Sequence, residues 1–149
     1  ISGDAIAIDA IRSIASGFIF TTSLSPVMCA GALSAIKYLK SSNGVELRAI
    51  HQERAKKLKD VLRERDIDVL ENETHIVPVM IRDAVRCKSV SDELITRYDI
   101  YVQPINYPTV SMGTERLRFA PTPLHTDAMM LDLAEKLKAI VGFRKSPIL

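Results

Sequence analysis

The spacing of apolar and polar residues predicts two helices and one strand at the start of the chain. Isoleucines recur at mainly helical spacing from Asp4 to Ala15. The aromatic and β-branched run from Phe18 to Thr21 is typical of a buried strand. Ser25 then supplies an N-cap and Pro26 a first-turn proline for a helix that runs to about Ser41. The small residues of this helix favour close packing in a core.

The remainder of the chain alternates helical and strand-like patterns. A break at Ser42-Asn43-Gly44 precedes a long charged helix to about Asp66, whose lysines and arginines lie mainly on the wet side. Short apolar runs predict strands at residues 68–70, 75–82, 100–103 and 117–120. Two further helices are predicted, at residues 87–98 and from residue 126 or 127 onward. Arg144 to Leu149 is predicted to be a tail.

This order of elements predicts the fold class α+β, with helices packed against a short, mostly antiparallel sheet. No internal repeat or low-complexity segment interrupts the pattern. The break near residues 41–44 predicts a domain boundary. We expect residues 1–43 to be the edge of one domain with its connecting helix, and residues 44–149 to form a small α+β domain.

Composition narrows the classes of function. The 149 residues are 47% hydrophobic and 26% charged, as in ordinary soluble domains. A formal net charge of +2 is too small to indicate a nucleic-acid or anionic-membrane partner, and no run approaches the ~20 apolar residues that span a bilayer. Cys29 and Cys87 stand alone, which favours a reduced, intracellular protein. Because Ile1 opens neither a signal peptide nor a methionine start, we expect a longer parent protein.

Common catalytic templates are absent from the sequence, which contains no GxSxG, no Gly-rich phosphate loop and no HExxH. The histidines His51, His75 and His125 are far apart along the chain without metal-ligand spacing, so no metal site is predicted. We expect His51 at the surface or boundary of the long helix and His75 in a structural role at the start of a strand. The sequence offers no partner for His125.

Two polar clusters and one loop residue are candidates for binding chemistry. Thr21-Thr22-Ser23 precede a helix N-terminus, where hydroxyl and N–H groups can hold a phosphate or simply cap the turn. Arg116 and Arg118 share one face of a predicted strand. Either can clamp a substrate carboxylate, or form an ion pair with Glu115 or a neighbouring helix. Thr109 can donate a hydrogen bond into a cleft or face water.

Three segments of the chain carry a family resemblance. They are GFIFTTSLSP at residues 17–26, THIVPVMI at residues 74–81 and YVQPINYPTVSMGTERLRFAPTPLHT at residues 101–126. Together they resemble the α-oxoamine synthases, which are fold-type I pyridoxal-phosphate (PLP) enzymes. The INYPTV portion is similar to the 5-aminolevulinate synthase branch rather than to relatives that make biotin precursors, sphingoid bases or aminoketobutyrate. The resemblance extends over residues 1–143 and breaks down in the tail.

The resemblance implies a homodimeric PLP enzyme that condenses glycine with succinyl-CoA to 5-aminolevulinate, CoA and CO2 in haem biosynthesis. By position, Thr21 and Thr22 match residues that contact the cofactor phosphate of the other subunit. Thr109 matches a threonine that contacts the succinyl carboxylate, and Arg118 matches the arginine that holds the glycine carboxylate. Arg116 has no matching substrate role. Residues 1–43 then correspond to the end of the large domain, and residues 44–149 to the small C-terminal domain.

The chain also departs from the family pattern. The Schiff-base lysine of the family lies upstream of Ile1, so the chain holds no catalytic residue and should be inactive alone. Ser25 stands where many relatives have the first proline of a Pro-Pro pair. Two alternatives stay open: another α-oxoamine synthase that uses a different acyl-CoA, and a non-catalytic α+β binding module. The family works in the bacterial cytoplasm or the mitochondrial matrix, and the short tail favours the bacterial case.

Overall fold

The computed structural model describes residues 2–142. Ile1, Phe143 and the predicted tail at Arg144 to Leu149 lie outside the described residues. The chain divides into two compact units, Ile1–Ser42 and Asn43–Leu149, which are described separately. In the described residues, no helix combines the length and the apolar character needed to cross a membrane.

The first unit consists of three helices: α1 (Ala5–Ile14), α2 (Ser16–Ile19) and α3 (Pro26–Lys40). Asp4 caps α1, since its Oδ1 accepts hydrogen bonds from the N–H groups of Ile6 at 3.0 Å and Ala7 at 3.2 Å. The helix predicted from Asp4 to Ala15 is confirmed as α1, and the helix predicted to run from Pro26 to about Ser41 is confirmed as α3. Each agrees to within a residue at both ends. No residue of these three helices is buried, so the predicted close packing of α3 in a core is wrong within this unit.

The predicted strand from Phe18 to Thr21 is wrong, because α2 includes Phe18 and Ile19, and Phe20 and Thr21 lie in the turn that follows it. The N–H groups of Phe18 and Ile19 donate to the carbonyl of Ala15 at 2.9 and 3.0 Å, as in a helical turn. The described residues of this unit contain no strand that could supply ladder partners. With no neighbouring strand, the local hydrogen bonds of a helix prevail over the β propensity of the side chains.

The described part of the second unit contains three helices and three strands. The helices are α4 (Ser42–Arg63), α5 (Ala84–Tyr98) and α6 (Asp127–Gly142), and the strands are β1 (Val77–Met80), β2 (Gln103–Ile105) and β3 (Arg116–Phe119). The predicted break at Ser42-Asn43-Gly44 lies one residue earlier, at Ser41 between α3 and α4, because α4 already includes those three residues. Helix α5 begins before the predicted residue 87, because Asp83 caps it by accepting a hydrogen bond from the N–H of Arg86 at 2.6 Å.

The sheet is antiparallel with strand order β1-β3-β2, which confirms the predicted α+β class. Each edge strand contains a proline, Pro78 in β1 and Pro104 in β2. Proline has no N–H to donate to a ladder, and it is tolerated on edge strands because the outer side of such a strand does not need a full set of ladder donors. Residues 68–70, predicted as a strand, form only an isolated bridge in which Val69 lies opposite Val79.

One face of the sheet forms the core with the helices. Leu117 and Phe119 of β3 point into it, while Arg116 and Arg118 lie on the other face, as the strand period predicts. The fully buried side chains come from both strands and helices: Leu62, Val77, Val79, Cys87, Leu94, Leu117 and Leu137. Each such aliphatic side chain contributes ~1.5–3 kcal/mol by leaving water, so this core holds the central strand, and with it Arg118, in place.

Candidate functional site

The central strand β3 positions the arginine that sequence reasoning singled out. Arg118 lies opposite Pro78 of β1 and Gln103 of β2 in the antiparallel register. Its neighbours in the strand, Leu117 and Phe119, are buried and fix the strand from the core side. The Arg118 side chain is exposed on the opposite face. The buried central strand thus presents a solvent-accessible guanidinium.

Arg118 also lines a cavity of about 670 Å3. The cavity lies among the segment that leads into β2, the end of β3 and the first turns of α6. Its apolar side includes Leu58, Phe119 and Met130. A hollow of this size is in the range that binds small molecules, and its combination of an apolar wall with an arginine suits an organic acid.

The Arg118 guanidinium makes no hydrogen bond or ion pair with any residue of the described chain. Arg116 differs, because its Nε donates to the carbonyl of Thr114 at 2.9 Å. The predicted alternative of an ion pair with Glu115 does not occur, since Glu115 Oε2 accepts from the N–H of Gly113 at 2.9 Å. The other described arginines of residues 43–142 all interact with the protein: Arg48, Arg54, Arg63, Arg65, Arg82, Arg86 and Arg97. Among the described arginines of residues 43–142, Arg118 is therefore the one left free to bind an external anion.

His125 lines the same cavity and was missed by sequence reasoning, which found no partner for it. Its Nδ1 accepts a hydrogen bond from the N–H of Thr122 at 2.8 Å. Because Nδ1 acts as an acceptor, the proton of the neutral ring lies on Nε2. The Thr-Pro-Leu-His spacing in a tight turn before α6 is the signal that could have revealed this contact.

Gln103 is a second cavity residue that the sequence did not single out. It lies directly across from Arg118, and its Oε1 accepts a hydrogen bond from the Tyr101 hydroxyl at 2.8 Å. Its Nε2 donates to the carbonyl of Pro104 at 3.1 Å. Both ends of the Gln103 amide are thus held, which gives Arg118 a fixed polar neighbour.

Thr109 lies in the loop between β2 and β3 and is exposed. Its backbone N–H donates to the carbonyl of Asn106 at 2.9 Å, which closes a turn. Its hydroxyl makes no hydrogen bond within residues 2–142 and does not line the Arg118 cavity. The structure therefore leaves Thr109 available as a donor but does not bring it into one cavity with Arg118.

Thr21 and Thr22 belong to the first unit, in the exposed segment before α3. Their hydroxyls form no hydrogen bond with the described residues. Ser25 is the N-cap of α3 but its side chain makes no capping bond, and Pro26 follows at the first helical position. The first-turn N–H groups of α3 are thus open, and they carry the positive end of the helix dipole. This arrangement suits a phosphate.

The histidines depart from expectation. His51 and His75 are far apart along the chain and lack metal-ligand spacing, yet their ring centroids are 4.9 Å apart. His75 lies in an exposed loop before β1 rather than at the start of a strand. Sequence spacing could not reveal this pair, because a helix and a distant loop bring it together. Residues 2–142 contain no cluster of three or more side chains suited to a metal ion.

The two cysteines are both free thiols. Burial raises the pKa of the Cys87 thiol, which therefore stays protonated near neutral pH. A protonated, buried thiol is a packing group rather than a nucleophile. Cys29 is exposed on α3.

Residues 1–137 match the family described as aminotransferase class I and II. The chain belongs to this family. Membership agrees with the α+β class of the observed fold, with its three-stranded antiparallel sheet.

Two relatives of higher identity are both named as 5-aminolevulinate synthases. The chain is 52% identical over 140 residues to a 5-aminolevulinate synthase of Rhizobium meliloti, covering 94% of this chain and 34% of that protein. It is 47% identical to a mitochondrial, non-specific 5-aminolevulinate synthase of Bos taurus, covering 94% of this chain and 22% of that protein. The resemblance to 5-aminolevulinate synthases is thus confirmed, although the chain spans about a third or less of these relatives' length.

A solved structure agrees with the fold. Serine palmitoyltransferase from S. paucimobilis, with a bound PLP–myriocin aldimine, superposes with a TM-score of 0.82 at 26% identity. The match covers 97% of this chain and 36% of that one. The chain thus resembles a structure that contains PLP, and the relatives named above are a bacterial and a mitochondrial protein.

Proposed function

We propose that this chain is part of a PLP-dependent 5-aminolevulinate synthase, an acyltransferase that condenses glycine with succinyl-CoA to 5-aminolevulinate, CoA and CO2. This reaction opens haem biosynthesis. One observation carries the proposal. The Arg118 guanidinium lines a cavity without a hydrogen bond or ion pair to the described residues, in a chain 52% identical to a 5-aminolevulinate synthase. An anion receptor is what an enzyme for an amino acid requires at this place.

The residues present fit the phosphate of PLP. Thr21 and Thr22 offer free hydroxyls beside the open N-terminus of α3, where backbone N–H groups attract an anion. Bound PLP would supply an electron sink for charge at the amino-acid Cα. The task of Thr21 and Thr22 is to hold the phosphate, and we propose that they do so for the other subunit of a homodimer. Cofactor affinity then depends on assembly.

Arg118 would hold the glycine carboxylate. Its planar fork can donate two parallel hydrogen bonds to the two carboxylate oxygens, which fixes both position and rotation of the substrate. Such alignment can account for several kcal/mol of a reaction barrier. Gln103 lies directly across from Arg118 and is held by its own hydrogen bond, so it would restrict the orientations of the guanidinium.

Thr109 would bind the carboxylate at the far end of the succinyl group. Its hydroxyl is exposed and unengaged, so it can donate to an acyl chain that ends in an acid. A site that expects this group penalises acyl donors without it, because a polar group is then left unpaired. The selectivity for succinyl-CoA is therefore assigned to this loop.

We further propose that residues 1–43 form the end of the large PLP-binding domain and residues 44–149 the small C-terminal domain. The chain contains no residue that we assign to the Schiff base, so the 149 residues alone should show no turnover. The working compartment would be the bacterial cytoplasm, or the mitochondrial matrix in a eukaryote.

The test compares two acyl donors of equal chain length in the intact protein with PLP and glycine. Succinyl-CoA should be used with kcat/KM on the order of 10²-fold or more above butyryl-CoA, which lacks only the terminal carboxylate. Thr109→Val should reduce that ratio, while Thr114→Val, a loop control bonded to Ser111, should leave it unchanged.

Two results would contradict the proposal. Preference for an uncharged acyl-CoA would identify another α-oxoamine synthase. Absence of CoA release with every donor, together with no PLP absorbance, would indicate a non-catalytic module. The identities of 52% to a 5-aminolevulinate synthase and 26% to serine palmitoyltransferase argue against the first of these results.

A further inference from the structure

His51 and His75 form a pair of imidazoles on the second unit. Their ring centroids are 4.9 Å apart and the ring planes are inclined at 46°. His51 is half-buried on α4, and His75 is exposed in the loop that precedes β1. Neither ring hydrogen-bonds to any of the described residues. Both imidazoles therefore have nitrogen lone pairs that the protein does not use.

The loop that carries His75 is anchored to the helix that carries His51. Lys59 of α4 is buried, and its Nζ donates to the carbonyls of Asn72 at 2.8 Å and Thr74 at 2.7 Å. The side-chain oxygen of Asn72 accepts from the N–H of Thr74 at 2.9 Å. The backbone next to His75 is thus fixed relative to α4. A ligand that binds both rings need not order a flexible loop, which lowers the cost of binding.

The spacing of the rings suits two ligands on one metal ion. With each nitrogen ~2.0–2.1 Å from the ion, two imidazoles in adjacent coordination positions have their ring centres about 5 Å apart. The observed 4.9 Å agrees with this value. Arg54, one turn along α4 from His51, pairs with Asp127 at 2.6 Å, a carboxylate that Lys57 also contacts.

We propose that His51 and His75 bind a divalent transition-metal ion of the kind that prefers imidazole. The affinity of nitrogen ligands rises through the series to Cu2+, so Cu2+ should bind more tightly than Ni2+ or Zn2+, and Mn2+ should bind weakest. The two imidazoles supply two ligands, and water fills the other positions. Neither histidine lines the cavity of Arg118, so the proposal does not depend on the proposed catalytic function. The bound ion would tie the loop before β1 to α4.

The experiment is a metal titration of the intact protein, prepared without a histidine tag and followed by calorimetry and electron paramagnetic resonance. Cu2+ should bind this site with nitrogen coordination. His51→Asn and His75→Asn should each weaken that binding on the order of tenfold or more, because each removes one of two ligands. His125→Asn is the matched control, since that imidazole stands apart and is bonded to Thr122, and it should leave binding unchanged.

A second readout is thermal unfolding with and without the ion. Cu2+ should raise the melting temperature of the wild type but not of the His51→Asn or His75→Asn proteins, because only a folded state with both rings binds it. Circular dichroism establishes that the variants are folded. Equal Cu2+ binding by wild type and both variants, or Mn2+ binding as tight as that of Cu2+, would overturn the proposal.

Discussion

The two units treat their apolar side chains in opposite ways. In the first, Phe20 is 87% exposed and Val27 is 79% exposed, and no helical residue is buried. In the second, Leu62 and Leu94 are fully buried in a core shared by helices and sheet. Both units nevertheless form capped helices. Helix formation is local, because its hydrogen bonds close within the segment, whereas burial requires a second surface.

The contrast in burial predicts the largest difference in stability. Leu62→Ala should lower the free energy of unfolding of the second unit by about 2–5 kcal/mol, through lost transfer energy and a residual cavity. Leu33→Ala on α3 should change the free energy of unfolding of its own unit by less than about 0.5 kcal/mol, because Leu33 is 53% exposed. Urea unfolding of the 149-residue chain measures both. Equal losses would mean that α3 is packed in solution.

The second prediction concerns the arginines of β3 in the intact protein. Arg118→Ala should lower kcat/KM for glycine about tenfold to 10²-fold, mainly by raising KM, because a charge-assisted hydrogen bond is lost. Arg116→Ala is the control, since that side chain is bonded to Thr114. Steady-state kinetics with varied glycine separates the two. Unchanged glycine kinetics in Arg118→Ala would remove this residue from the site.

The matching prediction for the first unit concerns the cofactor rather than glycine. Thr21→Val with Thr22→Val should weaken PLP binding on the order of tenfold, because two hydroxyl donors to the phosphate are lost. The glycine KM at saturating PLP should change little. Cofactor titration by absorbance gives the affinity. If the double variant weakened glycine binding and left PLP binding unchanged, Thr21 and Thr22 would act on the substrate rather than on the cofactor. That result would contradict the proposal.

The smallest expected effect is electrostatic. The hydrogen bond from Lys57, with added attraction from Arg54, holds the pKa of Asp127 below its ordinary value of 3.8. A carboxyl with a lowered folded-state pKa adds stability at pH above its unfolded value and loses it as the pH falls through the folded value. Asp127→Asn should therefore be slightly less stable than wild type at pH 7. That gap should close as the pH falls through the folded-state pKa of Asp127, and a gap that widened in acid would contradict this prediction.

Local sequence signals predicted the helices well. Asp4 before α1 and Ser25-Pro26 before α3 mark helix starts through backbone chemistry that needs no distant partner. Strands were less predictable. Phe18 to Thr21 has strong β propensity but no neighbouring strand in its unit, and β2 begins at Gln103 because that residue is the first to pair with β3.

The sequence predicted which residues form the candidate site, but not which of their side chains are engaged by the protein and which are free to bind a ligand. Strand alternation placed Arg116 and Arg118 on one face, which the structure confirms. Their different availability depends on the carbonyl of Thr114, which only the folded loop brings within reach of Arg116. The pairing of His51 with His75 likewise depends on tertiary structure, because Lys59 anchors a distant loop beside α4.

The prolines of the edge strands also bear on how the domain behaves at high concentration. On one side, β1 already has neighbours beyond it, because the N–H of Leu70 donates to the carbonyl of Pro78 at 2.9 Å. On the other, β2 is only three residues long and Pro104 is one of them. A second molecule would find few donors on which to template another strand. The sheet that carries Arg118 is therefore less able to aggregate edge to edge.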